Sequence, residues 1–254
     1  MNLRPCKAIV LGAAVLVGVA ALGERRVAAS RRAATWASRL SESVARGDLV
    51  LHVPHATGPI TLDSDTDDPG WLGLPPPAKI PTFLFDSGKP GHPHSEARLV
   101  WSGDYLYLSL YAADQDIEAH TLEPDQPMPL EDDFFHIVFS QGDVQYALDV
   151  SPKPMITDAL RRGDGAWDRS WNSGAHVSRE IDGSLNDPRG LDEEWAIELA
   201  VPLEALGMRG ERGENIGLML RRCDIPKREP RVCSSWGRGA SDAVTGRIVL
   251  DGAR

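Results

Sequence analysis

Between Ala97 and Val150 the chain holds three strand-like runs in which apolar and polar residues alternate with a period of two. Val100, Leu106, Leu108, Leu110 and Ala112 keep that phase, and further alternating runs follow at Phe134 to Phe139 and Val144 to Val150. A period of two places successive side chains on opposite faces of an extended backbone, whereas a helix would need a period near 3.6. These runs are therefore predicted strands with one face on a core. Between them lie turn signals: Leu74-Pro75-Pro76-Pro77, Ser87 to His94, Ser151-Pro152-Lys153-Pro154 and Gly207 to Gly213. Short strands punctuated in this way predict an all-β fold, a sandwich or jelly roll. Leu203 to Leu206 is the one short helical turn expected in the body.

The length of 254 residues suits one large all-β domain behind an N-terminal extension, or two small domains. Charge divides the chain. Residues 1–46 hold eight Lys/Arg against two Asp/Glu, and the remaining 208 hold 19 against 35. A body this acidic repels phosphate backbones, which argues against nucleic acid and suits calcium or neutral ligands. Ala8 to Gly23 is an unbroken apolar run of 16 residues behind Arg4 and Lys7, the pattern of a secretory signal or a short membrane anchor. Arg25, Arg26, Arg31 and Arg32 follow it, a placement that opposes translocation under the positive-inside rule. The expected organisation is a signal peptide or N-terminal anchor over 1–27, a basic linker or stalk over 28–46, and a β-sandwich over 47–254. Export would place the domain in the periplasm, outside the cell, or on a membrane facing outward. It would also favour a disulfide between Cys223 and Cys233, ten positions apart, over two buried thiols.

Several side chains are candidates for chemistry. Asp63, Asp65 and Asp67 alternate along a loop and could converge on calcium, or could bond backbone N–H groups in a turn. The spacing is not that of an EF-hand, because the sixth position is Asp68 and the twelfth Leu74. In Glu131-Asp132-Asp133-Phe134-Phe135-His136, alternation puts Asp132, Phe134 and His136 on one face. Asp132 and His136 are thus candidate ligand contacts. Trp167 and Trp171 lie in a loop rich in Gly, Asp and Arg and are candidate stacking rings, while Trp71, Trp101, Trp195 and Trp236 read as core. No serine elbow, P-loop, HExxH or CxxC pattern occurs, so the sequence carries no recognisable catalytic centre.

Six segments in order resemble the family 9 carbohydrate-binding modules: Leu62 to Trp71 (LDSDTDDPGW), the block from Ala97 to Val150 (ARLVWSGDYLYLSLYAADQDI, then the EDD strand and VQYALDV), Trp171 to Gly174 (WNSG), Asp182 to Asp187 (DGSLND), Glu194 to Pro202 (EWAIELAVP), and Ser235-Trp236 with Gly246 to Leu250 (GRIVL). The resemblance implies a two-sheet antiparallel sandwich of jelly-roll or immunoglobulin-like type, structural calcium in some members, and an exported, non-catalytic module that binds a carbohydrate or envelope glycan. The chain departs from the family at the ligand contacts. Where the family's acidic strand carries Glu, this chain has His136. Where the xylanase modules hold a sugar between two loop tryptophans, it has Pro129 and Leu130 at one place and no aromatic from Gly237 to Gly246 at the other. Two other readings stay open: a structural or assembly module that has lost sugar binding, and a relative of the DOMON sandwiches, which hold haem. For the latter the axial ligands would come from His136, Met128, Met155 and Met219.

Overall fold

The computed structural model describes residues 49–120, 123, 125–127, 131–227, 230–236, 244 and 246–252, together with Thr35, Ser38, Arg39, Glu42 and Ser43, which are helical. The apolar run Ala8 to Gly23, Met128, Pro129, Leu130 and most of the loop from Gly237 to Gly246 lie outside the described residues.

Two β-sheets face one another. The strands are β1 (Val50–Pro54), β2 (Ala78–Ile80), β3 (Ser95–Ser102), β4 (Tyr105–Ala113), β5 (Phe134–Gln141), β6 (Val144–Val150), β7 (Ile156–Arg162), β8 (His176–Asp182), β9 (Glu194–Pro202), β10 (Asn215–Asp224), β11 (Val232–Trp236) and β12 (Gly246–Asp251). Among residues 49–252 as described, the other regular elements are a four-residue helix, α1 (Pro69–Leu72), and a 3-10 turn, Glu204–Leu206. The large sheet runs β1-β12-β10-β5-β6-β7, and the small sheet β2-β3-β4-β9-β8. Strand β10 is long enough to hold two neighbours on one edge, β12 along its first half and β11 along its second. The pairing of β1 with β12 is parallel, and all other strand pairings are antiparallel.

The core lies between the sheets. Leu106, Leu108, Leu110 and Ala112 of β4 meet Phe135, Ile137 and Phe139 of β5, Leu148 of β6, Ile197 and Leu199 of β9, and Leu218 and Leu220 of β10. Each Leu, Ile and Phe side chain among them contributes about 1.5–3 kcal/mol by leaving water. Trp101, Trp195 and Trp236 are buried in this core, and Trp71 is buried in a smaller one, as the sequence led us to expect.

Val100 departs from the predicted phase. A two-residue turn, Gly103-Asp104, pairs Ser102 with Tyr105 and Val100 with Tyr107. Even-numbered residues of β3 therefore face the same way as odd-numbered residues of β4. Val100 points away from the main core and packs with Ala56 and Trp71 on the outer side of the small sheet. Gly103 takes φ 58°, a left-handed conformation that glycine adopts without steric cost.

Candidate functional site

On the large sheet, register partners form a single row across five strands: Ser235, Arg221, His136, Asp149 and Thr157. Alternation sends Phe135 and Ile137 into the core, so this row lies on the outer face. His136 Nδ1 stands 2.5 Å from Asp149 Oδ1, with the carboxylate accepting. On one side of this row lie Phe134, Cys223 and Cys233, and the last two are directly opposed and joined by a disulfide. The guanidinium of Arg231, just before β11, lies 4.8 Å over the Phe134 ring. On the other side are Met219, Val138, Ala147 and Ala159. The half-buried Trp167 packs against Val138, Ala147 and Met219, and the Arg161 guanidinium lies 4.4 Å over its ring. Arg161 is itself held by a bond from Nε to Gln145 Oε1, 3.0 Å.

Two of the four candidate ligand residues, Trp167 and His136, thus share one surface. The other two do not join them. Trp171 turns inward: its ring lies 5.4 Å from that of buried Tyr146, and it packs on the main core. Asp132 is fully buried and accepts the His120 backbone N–H at 2.6 Å. The reason is local. Strand β5 begins at Phe134, so the alternation does not extend back to Asp132. Among the other haem-ligand candidates, Met219 is buried and Met155 is half-buried before β7.

The loop aspartates make the turn contact that the sequence offered as the alternative to calcium. Asp63, Asp65 and Asp67 are exposed, and Asp63 Oδ1 accepts the Asp65 N–H at 3.0 Å, a turn contact. Their loop is tied down by Glu198, fully buried on β9. Its Oε2 accepts the N–H groups of Asp63 and Ser64 at 2.9 and 2.8 Å, and its Oε1 accepts the Trp71 indole N–H. Among the described residues the carboxylates that converge are Asp114, Asp133 and Asp224, with one oxygen from each within 4.8 Å of the others. They sit at one end of the sandwich, where β4 and β10 finish and β5 begins. Arg222 Nη2 donates to Asp114 Oδ2 at 2.7 Å and to Asp224 Oδ1 at 2.5 Å, and Trp195 Nε1 donates to the same Asp114 oxygen at 3.0 Å. Asp133 caps two loops, accepting the N–H groups of Glu118 and Ile225. Burial pushes the Asp133 carboxyl up to about 8, with the Asp114 charge adding to the rise. Burial likewise raises Asp224 to about 6 against the pull of Arg222. These three aspartates can hold a metal ion. One sequence signal pointed to them: Leu218, Leu220, Arg222 and Asp224 share the inner phase of β10, and charge in a core phase demands a partner.

Among solved structures the chain is similar to a candidate carbohydrate-binding protein from Bacteroides uniformis, with a TM-score of 0.62 at 13% identity, covering 80% of this chain and 99% of that one. It is similar also to a family 9 carbohydrate-binding module from Caldicellulosiruptor kristjanssonii. In complex with cellotriose that module gives a TM-score of 0.56 at 15% identity, covering 81% of this chain and 95% of the module. With glucose it gives 0.55 at 15%, covering 80% and 97%. The fold is that of the family 9 carbohydrate-binding modules. No sequence-family profile and no curated protein matches the chain.

Proposed function

We propose that the chain is a non-catalytic, exported module that binds a carbohydrate on the outer face of the large sheet. The observation that carries this reading is the meeting of Trp167 and His136 on one surface of a fold shared with sugar-binding modules. The half-buried Trp167 ring, with the Arg161 guanidinium 4.4 Å over it, brings an apolar edge and N–H donors to a pyranose, and the His136–Asp149 pair adds polar atoms for hydroxyl groups. The Cys223–Cys233 disulfide supports a location outside the cytoplasm, where thiols oxidise and stay paired.

Structural calcium we assign to Asp114, Asp133 and Asp224 rather than to Asp63, Asp65 and Asp67. Three oxygen donors suit a hard cation, and three carboxylates with one guanidinium leave two negative charges for a divalent ion to cancel.

Isothermal titration with cellotriose and glucose, alongside a glycan array, tests the binding reading. The wild type binds at least one glycan, and Trp167→Ala weakens that binding about tenfold or more while the domain stays folded. A blank array and flat titrations with folded protein would leave a structural module in its place.

A further inference from the structure

The outer face of the large sheet carries a cation, Arg231, that meets no anion among the described residues. Arg231 is half-buried, and its Nε is buried without a hydrogen-bond acceptor. Among the described residues no carboxylate lies within ion-pair distance of it, and its ring contact with Phe134 supplies no lone pair. The contrast with Arg222 is direct: that guanidinium, fully buried, is held by both Asp114 and Asp224. Burial pushes the Arg231 pKa down and the neighbouring Arg221 adds to the fall, while Asp149 and Asp133 oppose it from a distance. A guanidinium withdrawn from water costs free energy until it is paired and hydrogen-bonded. The nearest outer-face carboxylate in the row, Asp149, is engaged by His136. Arg221, in register with His136, brings a second guanidinium to the same surface.

We infer that this face takes an acidic sugar, a uronate, with the uronate carboxylate received by Arg231. The inference rests on the reading that the face binds carbohydrate, and it names the class. The planar fork of arginine matches a carboxylate in bidentate fashion, which a neutral hydroxymethyl group cannot reproduce. The acidity of the domain as a whole does not forbid this. Charges beyond about 8 Å are largely screened at physiological salt, so the groups around Arg231 decide, and there the aspartate of the row is bonded to His136. A site of this composition discriminates by charge, because a neutral sugar would cover the half-buried guanidinium and leave its Nε without an acceptor.

The test is isothermal titration of the full chain with trigalacturonate and with cellotriose, at 50 and 300 mM NaCl. The wild type binds trigalacturonate at least tenfold more tightly than cellotriose, and salt weakens that binding. Arg231→Gln removes the preference, weakening trigalacturonate binding at least tenfold more than cellotriose binding. Arg231→Lys keeps part of it, which separates loss of the fork from loss of fold, and circular dichroism of both variants checks the fold directly. Equal affinity for the two sugars, or a preference that survives Arg231→Gln, overturns the inference. Cellotriose binding that falls in Trp167→Ala, with no uronate preference, removes the acidic-sugar class and keeps the binding face. No binding of either sugar by folded protein removes both.

Discussion

Replacing Glu198 with Gln removes one acceptor from a carboxylate that satisfies three donors. Oε1 receives the Trp71 indole, and Oε2 receives the backbone N–H groups of Asp63 and Ser64. A carboxamide keeps one acceptor oxygen and turns an NH2 group towards the other donors, so either the indole or the two amides lose their partner. Burial pushes the Glu198 carboxyl up, against the bonds from Ser64, Asp63 and Trp71. Its charge is therefore not held more favourably than in water, and the cost of substitution arises from the stranded donors. Each buried donor left unsatisfied costs about 1–3 kcal/mol, so the loss comes to about 2–4 kcal/mol. For a domain of this size, about 2–4 °C of Tm follows each kcal/mol, which gives a fall of about 5–15 °C. The assay is thermal unfolding followed by circular dichroism, with limited proteolysis at residues 56–70 as a local readout. Asp63→Asn, which disturbs a turn contact at an exposed position, changes stability by less than about 1 kcal/mol. An unchanged Tm in Glu198→Gln, together with a large loss in Asp63→Asn, would refute the reasoning. The loop would then be held by its own aspartates.

Double replacement of Cys223 and Cys233 by Ser releases a ten-residue loop and costs about 2.5–3 kcal/mol, read as a lower urea midpoint, whereas reductant does not change the midpoint of the variant. Glu96 is held at about 2: burial alone would raise its pKa, but bonds to His94 and Lys79 and the charges of Lys79 and Arg98 outweigh it. A depressed carboxyl stabilises the fold above its unfolded pKa. Glu96→Gln should therefore cost stability at pH 7, and the difference from wild type should close as pH falls from about 4.5 towards 2, in acid-denaturation curves run side by side. Calcium at millimolar concentration should raise Tm relative to EDTA, and Asp224→Asn should abolish the rise. No rise in the wild type would mean that Arg222 and a proton on Asp133, which bring the cluster to a single negative charge, suffice without an ion.

The period-two runs were enough to give the strands of β4, β5 and β6 and the all-β class, because a core face imposes that period on any strand it buries. They could not place Val100, since one two-residue turn reverses which parity faces the core, and the turn's conformation is a property of Gly103. His136 and Trp167 were visible singly as candidates. Their meeting was not, because it depends on the register of β5 with β6 and β10 and on the 167–168 segment lying along β7. Alternation extended back from His136 counts Asp132 as a strand residue, whereas Asp132 and Asp133 both serve the backbone of other loops, His120 for the first and Glu118 and Ile225 for the second. Glu198 gave no signal of its own, since its three partners lie more than 120 positions away in the chain.

Backbone amide chemical-shift mapping of the 15N-labelled protein, titrated with the tightest glycan found, reads the binding face directly. The account predicts shifts concentrated on the outer residues of β5, β6 and β10, around His136, Asp149 and Arg221, and on Trp167. Shifts confined to the small sheet, or none at saturating glycan, would contradict it.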